Sequence, residues 1–149
     1  MKDRIKTLIE EALANLPYEL VAASELDGYI SKIIEKAELI LWMRGTLEGI
    51  IAFYCNDARN KYAYITMVAV RTKSRGKGIG RSLVVAALES MSARGFEKCG
   101  LRVHKKNLEA RNLYLSFGFK EIGDDGDYIN MERLIDAEMT NKAPRHVGC

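Results

Sequence analysis

The chain has 149 residues, of which 48% are hydrophobic and 29% charged, a composition typical of one ordinary globular domain. Its formal net charge of +3 is too small to argue for nucleic-acid binding. The opening residues lack the apolar stretch of a secretory signal, and no segment has the length and apolarity of a membrane span. Cys55, Cys99 and Cys149 have no paired spacing, so we expect free thiols and a cytoplasmic protein rather than disulfides or a metal site.

The first 37 residues predict two amphipathic helices. Apolar residues recur at helical spacing over 3–16, where Pro17 ends the run, and again over 26–37. Ser24 has the residue type of an N-cap, which places the start of the second helix there. The residues between them, 18–23, contain at most a short strand.

Strands dominate the next part of the chain, and the later part alternates helices with strands. Residues 38–44 and 47–55 flank a glycine-containing turn and predict a hairpin, followed by a loop and a third strand. The further elements, in chain order, are the strand 61–70, a helix whose apolar face runs from Leu83 to Met91 and stops at Gly95, the strand 98–103, the helix 107–117, and two strands, 119–122 and 127–134, around the turn GDDG.

This order predicts an α+β (mixed α/β) fold, a single domain over residues 1–149 built around one sheet. We divide it into a helical segment, 1–37, a core, 38–134, and a flexible tail, 135–149, which has little apolar surface to pack.

A basic, glycine-rich loop joins the third strand to the following helix. The stretch RTKSRGKGIGRSL, residues 71–83, holds five cationic side chains and three glycines but no acid. Free N–H groups and the positive dipole end at a helix start favour a bound phosphate or pyrophosphate. The spacing matches neither a P-loop nor the dinucleotide-binding fingerprint. The alternative is a solvated basic turn.

A second motif spans the predicted strand and helix of residues 101–119. Asn107 begins the helix, and Tyr114 follows two turns later on the same face. Phe117 and Phe119 flank Gly118. The alternative is that Tyr114 only packs, with its hydroxyl at the surface.

Together the two motifs resemble the GCN5-related N-acetyltransferase (GNAT) superfamily over about residues 38–134. The family's first signature, V-x-x-x-x-[QR]-x-x-G-x-[GA], is matched by Val70, Arg75, Gly78 and Gly80. Its second signature, N-x-x-A-x-x-x-Y-x-x-x-G-F, is matched by Asn107, Ala110, Tyr114, Gly118 and Phe119.

The resemblance implies a central, mostly antiparallel sheet flanked by helices and an enzyme that moves an acetyl group from acetyl-CoA to a primary amine by direct attack. It makes 38–134 the CoA-binding core and 1–37 the acceptor side, and it requires no metal. Tyr114 is then the proton donor to the CoA sulfur, and a backbone N–H near Val68 stabilises the carbonyl oxygen. The implied CoA-binding residues are Val68, Ala69, Val70, Arg75, Gly76, Lys77, Gly78, Ile79, Gly80, Arg81 and Asn107.

The chain departs from the family pattern in two places. The family's first strand has no clear counterpart before the first helix, and the sheet edge this leaves unpaired favours a homodimer. Arg102 stands where relatives that modify protein N-termini often carry Glu, which weakens a ribosomal-protein N-terminal acetyltransferase interpretation. The general base stays open among His104, Glu48, Tyr64 and bulk water.

We expect a small-molecule amine as the acceptor, with neither nucleic acid nor membrane as a partner. The alternatives are a protein lysine or N-terminal acetyltransferase and a non-catalytic acyl-CoA sensor. The acidic turn of Asp124, Asp125 and Asp127 either attracts a cationic acceptor or is only a solvated hairpin tip.

Overall fold

A computed structural model describes residues 1–136, and the tail predicted to be flexible lies outside the described residues apart from 135 and 136. Two helices precede three strands, and the remaining helices alternate with strands. The elements are α1 (Lys2–Ala14), α2 (Leu26–Lys36), β1 (Glu38–Arg44), β2 (Thr46–Asp57), β3 (Tyr62–Val70), α3 (Ile79–Ala93), β4 (Lys98–His104), α4 (Leu108–Ser116), β5 (Lys120–Asp124) and β6 (Tyr128–Leu134).

The strands form one six-stranded sheet in the order β1-β2-β3-β4-β6-β5. Every neighbouring pair is antiparallel except β3 and β4, which are parallel because α3 carries the chain across between them. The predicted fold class, a mostly antiparallel sheet flanked by helices, is confirmed.

Each face of the sheet has its own core. The helices α1 and α2 pack on one face of β2 and β3, while α3 and the end of α4 pack on the other face. The first core is formed by Ile5, Leu8, Ile9, Ile30, Ile33, Leu47, Ile50, Ala52, Met67 and Ala69. Since α1 and α2 stop at β3, no helix within residues 1–136 covers the same face of β4 and β6, and this face takes part in the site described below.

The start of the second helix is not where Ser24 was predicted to place it. Ser24 lies in a 3₁₀ turn (Ala23–Glu25), and α2 begins at Leu26 without a side-chain cap. Residues 18–22 form no strand; they cross toward the gap between β3 and β4 instead. No strand precedes α1 in residues 1–136, and β1 has β2 as its one neighbour there. Homodimer formation through that edge stays a prediction.

Gly100 of β4 lies directly beneath the ring of Tyr62, whose hydroxyl donates to Glu132 Oε2 at 2.8 Å. A Cβ added at Gly100 would stand 1.9 Å from the Tyr62 hydroxyl oxygen. We expect Gly100→Ala to displace the ring and to lower the free energy of unfolding by about 2 kcal/mol. Gly28→Ala is the control, because Gly28 is in α2 with nothing within 4 Å, and it should stabilise the protein by about 1 kcal/mol. Urea unfolding measures both; equal effects would contradict the assigned packing.

Candidate active site

The sheet opens between β3 and β4. Tyr62 to Ile65 of β3 pair with Lys98 to Leu101 of β4, and the two strands separate beyond Ile65. On the other edge of β3, Ala52 faces Met67 and Phe53 faces Ile65, so that Thr66 is an extra residue, a β-bulge. Bulges bend and twist a strand, and this one marks the point where β3 leaves β4. The opening holds a cavity of about 800 Å³.

The outer half of β3 offers an unpaired strand edge to this cavity. Val68, Ala69 and Val70 pair with Ile51, Ile50 and Gly49 of β2, and all three line the cavity on the opposite edge. Within residues 1–136 no strand pairs with that edge. An extended ligand can therefore add there as a strand would, through main-chain hydrogen bonds. This is the arrangement expected for the pantetheine arm, whose binding here stays a prediction.

The basic loop places free backbone donors at the start of α3. Gly76 and Gly78 have φ values of 79° and 78°, which favour glycine, and Gly78 is the N-cap residue without a side-chain cap. Among the described residues, the N–H groups of 76–81 donate to no backbone or side-chain acceptor. With the positive end of the helix dipole, these donors form a cradle that fits a pyrophosphate.

The side chains of this loop have different surroundings. Arg75 and Gly80 line the cavity, and Arg75 pairs with Glu109 at 3.7 Å. Arg81 Nη1 donates to Ser116 Oγ at 2.8 Å, while the exposed Lys77 lies outside the cavity wall. The Ile79 side chain is buried in the core, so only its N–H is available to a ligand.

A contact between Glu48 and the start of the basic loop could not be predicted from the sequence. Ser74, which is 3% exposed, donates from Oγ to Glu48 Oε2 at 2.9 Å, and the Arg71 N–H donates to the Glu48 carbonyl oxygen at 2.8 Å. Glu48 thus holds the entry to the basic loop and is not part of the cavity wall. Among the candidates for the general base, Glu48 therefore lies outside the wall of the cavity that would hold the acceptor amine.

The end of α4 holds Tyr114 in place through a Schellman motif. The Phe119 N–H donates to the Tyr114 carbonyl and the Gly118 N–H to the Leu115 carbonyl, with Gly118 at a φ of 83°. The Phe119 ring then meets the Tyr114 ring edge-on, with centroids 5.6 Å apart. Tyr114 is 6% exposed and lines the cavity, and burial raises the pKa of its phenol. The spacing of the second signature thus fixes the position of the Tyr114 phenol through local hydrogen bonds and packing.

Asn107 begins α4 and uses both ends of its amide. Its Oδ1 accepts from the Ala110 N–H at 3.1 Å as an N-cap, and its Nδ2 donates to the Tyr18 hydroxyl oxygen at 3.4 Å across the cavity.

Two substitutions distinguish the roles of Oδ1 and Nδ2 of Asn107. Asn107→Ala should lower the free energy of unfolding by about 1 kcal/mol, because the cap is lost. Asn107→Asp keeps the cap and should leave stability unchanged. If Nδ2 binds the pantetheine, both variants weaken acetyl-CoA binding. Chemical unfolding and titration calorimetry measure the two effects, and unchanged affinity in both variants would remove Asn107 from the CoA site.

The other half of the cavity is lined by aromatic side chains. His104, 8% exposed, stacks on Tyr18 with ring centroids 3.8 Å apart and meets the Tyr128 ring edge-on at 4.9 Å. Tyr29 of α2 and Tyr64 of β3 complete this wall. No motif pointed to Tyr18 or Tyr29, since the contribution of Tyr18 depends on how residues 15–21 cross the sheet and that of Tyr29 on how α2 packs against it.

Two carboxylates of the acidic turn are already paired with cations. Asp124 Oδ2 lies 2.8 Å from Lys105 Nζ, which holds the pKa of that carboxyl below its ordinary value. Asp125 Oδ2 lies 3.3 Å from Arg102 Nε, and the Arg102 guanidinium sits 4.0 Å from the Tyr128 ring centroid. Two of the three carboxylates of the turn are therefore paired with cations of the protein itself.

A strand edge that faces a cavity, beside a helix start with free N–H groups, is the arrangement expected of a protein that binds an extended, phosphate-bearing ligand. The acetyltransferase (GNAT) family model matches residues 8–119, and the chain belongs to this family. The predicted activity, an N-acetyltransferase that uses acetyl-CoA as co-substrate, is confirmed with it.

The proteins to which the chain is similar are N-acetyltransferases with different names. The chain is 28% identical over 116 residues to the [ribosomal protein bS18]-alanine N-acetyltransferase of Haemophilus ducreyi, covering 67% of this chain and 80% of that one. In fold it is similar to the PaiA N-acetyltransferase of Thermoplasma acidophilum, solved in complex with coenzyme A (TM-score 0.74, 18% identity, 89% of this chain and 92% of that one).

The ribosomal-protein-S18-alanine N-acetyltransferase of Escherichia coli has a similar fold (TM-score 0.71, 20% identity, 91% of this chain and 88% of that one). At these identities the solved structures show the fold alone. Within residues 1–136, no helix has the length and apolarity to cross a membrane. No group of three metal-ligating side chains is present in the same part of the chain.

Proposed function

We propose that the protein transfers the acetyl group of acetyl-CoA to a primary amine of a small molecule, inside the cavity between β3 and β4. The observation that supports this most is the junction of two features in one cavity: the unpaired edge of residues 68–70 and the free N–H groups of residues 76–81. In this proposal 38–134 binds CoA and 1–37 provides the acceptor side. The cytoplasmic location stays a prediction.

CoA is held by backbone more than by side chains in this proposal. The pyrophosphate lies against the N–H groups of residues 76–81, with Arg75, Lys77 and Arg81 nearby, and the pantetheine runs along residues 68–70 toward Asn107. This direction brings the thioester to the middle of the cavity, where Tyr114 lines the wall.

The reaction is a direct aminolysis of the thioester. The amine nitrogen attacks the carbonyl carbon, the C–N bond forms, the C–S bond breaks, and the amine loses one proton as the thiolate gains one. A backbone N–H near Val68 stabilises the oxygen as it becomes anionic. Because burial raises the pKa of Tyr114 further above that of a thiol, its phenol stays protonated near neutral pH and stabilises the leaving thiolate by donating a hydrogen bond.

A small acceptor is favoured by the way the cavity is closed. Tyr18 reaches from the α1–α2 connection to His104 and Asn107 on the opposite side of the gap. Asn15, at the end of α1, also donates from Nδ2 to Thr72 Oγ1 at 3.1 Å, which ties the same connection to the basic loop. A folded protein substrate needs an open groove, and this connection spans the place where the groove would lie.

One observation favours a second candidate, the N-terminal amine of a protein. The 28% identical relative is named for the alanine of ribosomal protein bS18. Arg102 at the position where such enzymes often carry Glu speaks against a shared acceptor.

Acetyl-CoA labelled in the acetyl group, incubated with the protein and a fractionated cell extract, distinguishes the candidates. Label on a small metabolite supports the proposal, and label on protein supports the second candidate. Binding without transfer supports an acyl-CoA sensor. Failure to bind acetyl-CoA would overturn the assigned site.

A further inference from the structure

Arg102 lies on the face of β4 that no helix covers within residues 1–136. Its neighbour in β6 is Asn130, and because successive side chains of a strand alternate between faces, His104 is on the same face. Leu101 and Val103 are on the opposite face and are buried in the core that α3 covers. Arg102 and His104 both line the cavity. The guanidinium of Arg102 therefore belongs to the half of the cavity that aromatic side chains line.

The Arg102 guanidinium is held in place by its neighbours. It lies 4.0 Å from the centroid of the Tyr128 ring, a cation–π contact, and Asp125 Oδ2 lies 3.3 Å from its Nε. Burial raises the pKa of the Tyr64 phenol and the Arg102 cation lowers it in part, which places the guanidinium near that hydroxyl. Because the ion pair with Asp125 is made at Nε, the edge between Nη1 and Nη2 is left for a ligand. A planar guanidinium binds a carboxylate along this edge with two parallel hydrogen bonds.

The charged side chains that line the aromatic half of the cavity, within residues 1–136, are both cations. They are Arg102 and Lys106. The third lining cation, Arg75, stands beside the basic loop and pairs with Glu109, whose side chain is 79% exposed. Glu109 is the one carboxylate among the described residues of the wall. An acceptor bound in the aromatic half therefore meets positive charge on the wall itself.

The carboxylates of neighbouring residues stand outside this wall; they are Glu19, Asp124, Asp125, Asp127 and Glu132. Asp124 and Asp125 are paired with Lys105 and Arg102. Glu132 accepts a hydrogen bond from the Tyr62 hydroxyl and lies 3.7 Å from Lys98 Nζ. Glu19 and Asp127 are exposed, and water and salt screen the charge of exposed groups. These acids moderate the positive charge of the wall, but the groups that a ligand touches there are the cations.

We propose that the acceptor carries a carboxylate in addition to its primary amine, and that Arg102 binds this carboxylate while the amine reaches the thioester. This inference rests on the proposed function and names the class of small molecule, the amino carboxylates. Charge-assisted hydrogen bonds to a guanidinium are about twice as strong as neutral ones, so the second group adds affinity. A diamine would instead bring a second cation next to Arg102 and Lys106, and this repulsion selects against it. Arg102 is thus a specificity-determining residue.

The test compares amines that share one chain and differ in the group at its far end. The first set is 4-aminobutyrate, butylamine and 1,3-diaminopropane, and a longer set is 6-aminohexanoate, hexylamine and 1,5-diaminopentane. Release of the CoA thiol from acetyl-CoA is followed at one pH. In the set whose length fits the cavity, we expect kcat/KM to be about 30-fold higher for the amino carboxylate than for the alkylamine, and lowest for the diamine. Equal values for amino carboxylate and alkylamine at both lengths, or a preference for the diamines, would overturn the inference.

Variants of Arg102 test whether this residue sets the preference. Arg102→Gln removes the charge, and the ratio of the two kcat/KM values should fall to within about twofold of one. Arg102→Lys keeps the charge without the two parallel hydrogen bonds and should give an intermediate ratio. Arg59→Gln is the control, because Arg59 is exposed in the β2–β3 loop, outside the cavity wall, and should keep the wild-type ratio. A wild-type ratio in Arg102→Gln, or an equal fall in Arg59→Gln, would contradict the assignment.

Failure of this inference and failure of the proposed function give different results. Titration calorimetry with acetyl-CoA on the wild type shows whether the CoA site exists. Acetyl-CoA binding without thiol release from any of the six amines would overturn the amino-carboxylate class and leave the proposed function to the labelled extract. A wild-type protein that does not bind acetyl-CoA would overturn the proposed function and this inference with it.

Discussion

Replacing Tyr114 with phenylalanine should lower kcat by about 10²-fold and leave the Kd for acetyl-CoA within about twofold of the wild-type value. The ring would keep its edge-on contact with Phe119, so the end of α4 and the cavity wall would keep their shape. The hydroxyl is the group that faces the leaving sulfur in the proposed arrangement. Since a thiolate forms only as the C–S bond breaks, its hydrogen bond lowers the energy of the transition state and not that of the bound substrate.

Single-turnover kinetics with titration calorimetry separates these effects. Tyr54→Phe is the matched control, because Tyr54 is half-buried on β2, outside the cavity wall, and should keep the wild-type kcat. A Tyr114→Phe variant with the same kcat as the control would remove this hydroxyl from the mechanism. Weakened acetyl-CoA binding with unchanged kcat would instead assign it to the ground state.

Parts of the site that depend on neighbours in sequence were predictable. Tyr114, Gly118 and Phe119 form a Schellman motif within one turn, so their spacing alone specifies the geometry. The same holds for Gly78, whose positive φ at a helix start follows from the local strand-loop-helix pattern. Asn107 was expected at the start of α4 for the same reason, and the structure gives it the capping hydrogen bond.

Parts that depend on residues far apart in sequence were not predictable. Tyr18 and His104 stack although 86 positions separate them, and the contact exists only because residues 15–21 cross the gap. The sequence around Thr66, a strand rich in Tyr, Ile and Val, does not predict a bulge. Thr66 becomes an extra residue only through the register between β3 and β2. The prediction of Ser24 as an N-cap was wrong because Ser24 itself lies inside a 3₁₀ turn (Ala23–Glu25), and α2 begins after that turn at Leu26.

Gly78→Ala should weaken acetyl-CoA binding by about tenfold. A φ of 78° costs a residue with a Cβ about 1–2 kcal/mol, so the alanine variant relaxes away from this conformation and turns the adjacent N–H groups off the pyrophosphate position. Binding must then restore the conformation, and 1.4 kcal/mol corresponds to a tenfold change in Kd.

Gly45→Ala tests the alternative that any such substitution acts through stability. Gly45 has a φ of 72° in the β1–β2 turn with nothing within 4 Å of an added Cβ, so it carries the same backbone cost away from the cavity. We expect the two variants to lose similar free energy of unfolding, while only Gly78→Ala loses affinity for acetyl-CoA in calorimetry. Equal affinity in both variants would mean that the N–H groups of residues 76–81 do not hold the phosphates.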